Sequence, residues 1–250
     1  MNKKADIALL IDNSNTRTKM MFSVDGVLQE QVMVVPTEKV NQQSLSLLSE
    51  QYHFDRVVVS SVVPAVAVEI CRAFAGKVAL LTVDNQLNFD YEYRGRATLG
   101  ADRIANVAAV VQKGYAPCIA VDLGTAVTFD VVVPGRDRPV FIGGSISPGL
   151  AGMARYLSVN TAQLPSVELC GELRAIGRDT VEAIHSGCLL GFCGMVKEIL
   201  SSIVAELGQR PKIVATGGDA ELIAKYLHEI DEVDPLLTFK GLNVVADYLR

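Results

Sequence analysis

One strand-and-turn frame occurs twice in this chain, and that duplication constrains the fold more than any other feature. The run Leu9-Leu10-Ile11-Asp12-Asn13-Ser14-Asn15-Thr16 has a counterpart in Ile119-Ala120-Val121-Asp122-Leu123-Gly124-Thr125. Each is an apolar strand that closes on Asp, then a tight turn of small residues, then a second strand. Asp25-Gly26 and Pro134-Gly135 end the two second strands. The two Asp positions lie 110 residues apart in a chain of 250. A unit repeated at nearly half the chain length predicts two similar domains facing one another, not a short-period solenoid. The expected division is residues 1–116 and 117–250.

Apolar runs of strand length alternate with longer helical segments, so the expected class is α/β. Strands are predicted at Ile7–Ile11, Thr18–Val24, Val27–Val35, Arg56–Ser61, Val78–Thr82, Cys118–Val121, Thr125–Val133, Val140–Ile146 and Lys212–Ala215. Helices are predicted at Glu38–Tyr52, Ala65–Phe74, Ala101–Gln112, Leu150–Val159, Thr180–Leu207, Asp219–Leu227 and Phe239–Leu249. Half of the residues are hydrophobic and a fifth are charged, which excludes a disordered chain. The net charge of −5 argues against a nucleic-acid binder. Cys71, Cys118, Cys170, Cys188 and Cys193 form no CxxC pair and read as reduced thiols. The apolar stretches Ile7–Ile11 and Gly187–Val196 are too short for a signal core and a membrane span, respectively. A cytoplasmic protein without membrane contact is expected.

A carboxylate at the end of a buried strand is costly unless it has a task. At a hairpin the neighbouring N–H groups can cradle phosphate oxygens, and Asp12 can hold Mg²⁺ directly or through water. Asn15, Thr16 and Thr125 add short polar groups, and Lys19 can screen phosphate charge. The plainer reading, that Asp and Asn merely favour turns, explains one such turn better than two in a duplicated frame. The P-loop, GxGxxG, HExxH and GxSxG patterns are absent.

Five segments in order carry a resemblance: Asp12–Thr16, Gly100-Ala101-Asp102-Arg103, Asp122–Ala126, Gly143–Gly149 and Thr216–Ala220. Together they resemble the type III pantothenate kinases of the acetate and sugar kinase/actin superfamily, from Ile7 to about Leu249. The resemblance implies two tandem actin-like (ribonuclease H-like) domains with an interdomain nucleotide cleft. It implies phosphorylation of pantothenate by ATP, the first step of coenzyme A biosynthesis, with Mg²⁺ and a monovalent cation (K⁺ or NH₄⁺), in a homodimer. By the same resemblance Asp12, Asn13, Ser14, Asn15, Thr16, Arg17, Thr18 and Lys19 form the first phosphate loop, and Asp102 is the catalytic base. Gly100, Ala101 and Arg103 belong to the substrate loop, with Tyr93 and Thr180 as further substrate contacts. Asp122 is the monovalent-cation ligand, Thr125 an ATP contact, and Gly217 and Gly218 lie at adenosine.

Two positions depart from the family pattern. Ser14 replaces a glycine, which would matter if that position required φ > 0. Arg94-Gly95 replaces Asn-Pro after Tyr93, which predicts a more mobile segment.

Several residues keep two readings on sequence alone. Asp102 suits a helix cap or a base. Arg103 suits a fork on the pantothenate carboxylate or a surface salt bridge. Gly143, Gly144 and Gly149 suit an anion-binding loop or a plain connection. Gly187, Gly191 and Gly194 suggest close helix packing. A non-catalytic nucleotide-binding regulator of the same fold, and a sugar or acetate kinase or phosphatase, are the competing functions.

Overall fold

In a computed structural model the described residues are 4–169 and 173–249; Cys170 lies outside them. The elements in chain order are β1 (Ile7–Asn13), β2 (Arg17–Val24), β3 (Val27–Pro36), α1 (Gln42–Gln51), β4 (Arg56–Ser61), α2 (Pro64–Ala73), β5 (Val78–Leu80), β6 (Asp90–Tyr91), α3 (Ala101–Gln112), β7 (Cys118–Leu123), β8 (Ala126–Val133), β9 (Val140–Pro148), α4 (Leu150–Asn160), α5 (Thr180–Leu207), β10 (Lys212–Thr216), α6 (Ala220–Ala224), β11 (Glu232–Val233) and α7 (Leu237–Tyr248). The chain divides into two compact units. One comprises Met1–Ala116, Val132–Ile142 and Leu236–Arg250, the other Pro117–Val131 and Gly143–Pro235.

In the first unit the sheet order is β3-β2-β1-β4-β5. The central strand β1 is antiparallel to β2 and parallel to β4. It is buried on both faces, which suits its unbroken Ala-Leu-Leu-Ile run. Leu9, Ile11, Val57 and Val59 point into one core with Phe54, Ile70 and Phe74. Strand alternation therefore sends Leu10, Asp12, Val58 and Ser60 to the opposite face, where α3 and α7 pack against β4 and α7 also meets β1. Helices α3 and α7 touch so closely at Gly241 that a Cβ there would collide with the Ala105 carbonyl.

In the second unit the strands run β11-β10-β7-β8-β9. Here β7 repeats the arrangement of β1, with β8 on one side and the parallel β10 on the other. The duplicated frame is thus present as two equivalent strand-turn-strand corners.

The predicted elements form with local differences. The segment predicted as one helix from Glu38 starts at Gln42, because Thr37–Lys39 makes a 3₁₀ turn and Asn41 and Ser44 form a capping box. Helix α6 ends at Ala224. The two-residue strands β6 and β11 carried no periodic signal to foresee them. Helix α5 runs from its Asp179 cap, whose side chain accepts from the Glu182 amide, to Gly208 in the left-handed region. The apolar stretch Gly187–Val196 is therefore part of a longer element. Thr180–Leu207 is, among the described residues, one helix long and apolar enough to cross a membrane by length and composition, with 33% of the apolar window buried. Gly187 and Gly194 have open space where a Cβ would stand, and Gly191 meets only Met153, so close packing within the chain does not account for them. Cys118, Cys188 and Cys193 are buried, and Cys71 is half-buried; none of these four is in a disulfide.

Candidate active site

Asp12 is the penultimate residue of β1, 6% exposed, one residue before the β1–β2 hairpin turns. It pairs in register with Lys19 on one side and Ser60 on the other. The hairpin tip Asn15-Thr16-Arg17 is exposed. A buried polar chain ties the turn from beneath. Ser61 Oγ donates to Asn13 Oδ1 at 2.6 Å, and Asn13 Nδ2 donates to Thr18 Oγ1 at 2.7 Å. Thr18 and Thr37 hydroxyls lie 3.1 Å apart, and Thr37 Oγ1 donates to the Ser14 carbonyl at 2.7 Å. Asn13 and Thr18 are therefore structural supports of the turn. Ser14 is outside the left-handed region, since Asp25 is the only described non-glycine residue with positive φ. The glycine-to-serine departure thus imposes no backbone strain.

The second component opens α3. Gly100 is its N-cap, and a Cβ on Gly100 would intrude on Asp102 Oδ1. The same Cβ would stand 3.6 Å from Val62, whose amide donates to the Asn13 carbonyl at 3.1 Å. Val62 therefore links the Asp102 corner to the Asp12 turn. Asp102 Oδ1 accepts from the Arg103 amide at 2.8 Å. Burial pushes the Asp102 carboxyl above its ordinary range, and the Arg103 amide and charge only partly offset this. A raised carboxyl pKa is what a general base near neutral pH requires.

Arg103 is buried, 6% exposed, so a surface salt bridge is not its role. Its guanidinium lies 5.6 Å from the Phe141 ring and 6.0 Å from the Tyr93 ring, and those rings are 5.5 Å apart. Phe141 enters the site through the parallel pairing of β6 with the start of β9. It was not foreseen, because a lone aromatic in an apolar strand carries no sequence signal. The Arg94-Gly95 turn is held by a 3₁₀ segment, in which Thr98 N and Oγ1 both donate to the Gly95 carbonyl at 3.0 and 2.9 Å. Gly95 lies flat against Tyr93, with its missing Cβ 3.4 Å from the ring. The departure after Tyr93 therefore forms a hydrogen-bonded turn.

In the second unit, Asp122 stands at the end of β7 beside Thr216 of β10. Gly217 has φ +97°, and a Cβ there would lie 2.6 Å from Asp122 Oδ1 and 2.5 Å from the Leu123 carbonyl. The Asp219 amide closes the corner by donating to that carbonyl at 3.0 Å. Gly149 donates to the Thr125 carbonyl at 3.1 Å and tolerates no side chain against Gly124 and Thr125. The Gly143–Gly149 segment thus serves to fit the strand end onto this turn. Thr180 is the first residue of α5 and lines an apolar cavity of about 690 Å³ with Tyr156 and Ile184.

These donor sets fit the ions that such a site would take. Among the described residues no group of three or more His, Cys, Asp or Glu gathers. A divalent cation at Asp12 would therefore use one protein carboxylate and complete its shell with phosphate oxygens and water, the habit of Mg²⁺. At Asp122 the carboxylate and the Leu123 carbonyl lie together against Gly217, oxygen donors of the kind that would suit a weakly charged cation.

Residues 8–202 match the family described as type III pantothenate kinase. The chain is 46% identical over 239 residues, 95% of this chain and 97% of the relative, to the type III pantothenate kinase of Akkermansia muciniphila. Among solved structures it is similar to a protein from Campylobacter jejuni described as a Baf family transcriptional activator (TM-score 0.64, 22% identity, 96% of this chain and 98% of that one). It is also similar to the activator of 2-hydroxyisocaproyl-CoA dehydratase from Clostridium difficile with bound ADPNP (TM-score 0.52, 14% identity, 97% and 94%). At these identities the structural likeness establishes the fold, the two-domain actin-like fold of sugar kinases and related ATPases.

Proposed function

This chain belongs to the type III pantothenate kinase family, and from that membership we infer that it transfers the γ-phosphoryl group of ATP to the primary hydroxyl of pantothenate, the first step of coenzyme A biosynthesis. The observation that carries the residue assignment is the half-buried Asp102 carboxyl in the Gly100 notch, joined through Val62 to the Asp12 turn. Asp102 takes the hydroxyl proton as the substrate oxygen attacks phosphorus; the new O–P bond forms, the β–γ bridge breaks, and ADP leaves with the electron pair. Phosphoryl transfer asks the protein chiefly for placement and charge compensation.

Each remaining residue has one task. Asp12 with the Asn13–Lys19 turn holds the phosphates, and Lys19 offsets their charge. Arg103, stacked on Phe141 and Tyr93, presents its fork to the pantothenate carboxylate. Gly100 and Ala101 shape the substrate loop, and Thr180 is a further substrate contact. Thr125 contacts ATP, and Gly217-Gly218 takes adenosine. Asp122 holds the monovalent cation, K⁺ or NH₄⁺, and Asp12 holds Mg²⁺, directly or through water; bound there, the two ions would neutralise phosphate charge.

The enzyme acts as a homodimer in the cytoplasm. The exposed Tyr156, Val159, Val181 and Leu190 on α4 and α5 support self-association, being apolar surface of the kind that association covers. Residues 1–116 and 117–250 are the two halves of the duplication. A non-catalytic regulator has no support in the sequence relatives, and Ser14, the departure in the phosphate loop, is unstrained. Mass detection of 4'-phosphopantothenate after incubation with ATP, Mg²⁺ and K⁺ or NH₄⁺, beside a panel of sugars and acetate, tests this assignment. Phosphorylation of a sugar or acetate in place of pantothenate would refute it.

A further inference from the structure

The strands that meet at Asp12 treat their two faces unequally. On one face Asn13 stands between Thr18 and Ser61, and its side chain bonds to both. On the other face Asp12 stands in register between Lys19 and Ser60. Ser60 is 0% exposed, and its hydroxyl has no hydrogen-bond partner. It follows Val57, Val58 and Val59, all buried, in a strand that any small apolar residue would complete. An unpartnered buried hydroxyl is a liability for the ligand-free protein. It is explained if a partner arrives on binding, and the neighbour in register is an acidic side chain.

We propose that Ser60 is a positioning residue for the phosphate turn: in the nucleotide-bound enzyme its Oγ–H donates to the Asp12 carboxylate and fixes that carboxylate's orientation for Mg²⁺. Lys19, on the opposite flank of Asp12, is left to face the phosphates. The inference rests on the reading of Asp12 as the ATP and Mg²⁺ turn.

The test compares the full-length wild type with Ser60→Ala and the near-isosteric Ser60→Cys. Thermal unfolding is recorded without ligand. Calorimetry then measures ATP binding with Mg²⁺ and, separately, with EDTA. Both variants are expected to unfold at the wild-type temperature or above it and to bind metal-free ATP as the wild type does. Mg²⁺–ATP binding should weaken about tenfold, the worth of one charge-assisted hydrogen bond. If Ser60→Ala does not fold, Ser60→Cys carries the comparison. Unchanged Mg²⁺–ATP binding, equal losses with and without metal, or lower ligand-free stability with an intact metal dependence would each overturn the proposal. A wild type that fails to bind Mg²⁺–ATP would instead overturn the kinase assignment of Asp12.

Discussion

Gly100 and Asp102 share one small volume: the Asp102 carboxylate occupies the space where a Gly100 side chain would begin. The glycine is required by the acid two residues on, not by its own backbone, whose φ of −63° any residue can adopt. Gly100→Ala should therefore fold with near-normal stability, because the obstructing atom ends a movable side chain. It should displace the carboxylate and lower kcat about 10²-fold, the typical result of misplacing a reacting group by an ångström. Steady-state kinetics beside a thermal melt would separate the two effects.

The raised pKa of Asp102 fixes the sign of two pH effects. As the proposed base it must be ionised, so kcat/KM should fall on the acid side at a pH above the ordinary carboxylate range. A raised folded-state pKa also means that the folded protein holds this proton more tightly than the unfolded chain does. The resulting stabilisation is present below the unfolded pKa and is lost as pH rises through the folded value. At neutral pH Asp102→Asn should consequently melt no lower than the wild type, which melts at pH 7 and pH 4 would check.

Gly217 leaves no room for a side chain beside Asp122 Oδ1, and its φ of +97° strains any other residue. Gly217→Ala is expected to reduce activation by K⁺ or NH₄⁺ more than it raises the KM for pantothenate. A titration of rate against each cation reads this directly. Wild-type cation dependence in the variant would remove Asp122 from the cation site.

Ser14 lies outside the left-handed region. Restoring the family glycine at this position should leave ATP affinity unchanged and lower stability by about 0.5–1 kcal/mol, through the extra freedom of glycine in the unfolded chain. Isothermal titration with ATP and chemical denaturation provide the two readings.

What could be read from the sequence was local. An apolar run closed by Asp locates the turn proposed to hold the phosphates, because a charge at the end of a buried strand is costly unless it has a task. Asp179 and Gly208 bound α5 because caps follow from the backbone groups at helix ends. The rest depends on pairings distant in the chain. Phe141 reaches Arg103 only because β6 pairs with the start of β9. Ser60 is notable only because β4 lies in register with β1. Helix α7 joins the first unit by packing on α3 more than a hundred residues earlier. None of these contacts leaves a periodic or motif signal.

The most direct test sets Asp102→Asn beside the wild type, with ATP binding and pantothenate-dependent ADP release measured on the same samples in Mg²⁺ and K⁺. Wild-type affinity for ATP together with a loss of turnover of about 10²–10⁴-fold, the usual contribution of a positioned base, is the predicted result. A variant that releases ADP at the wild-type rate would contradict it.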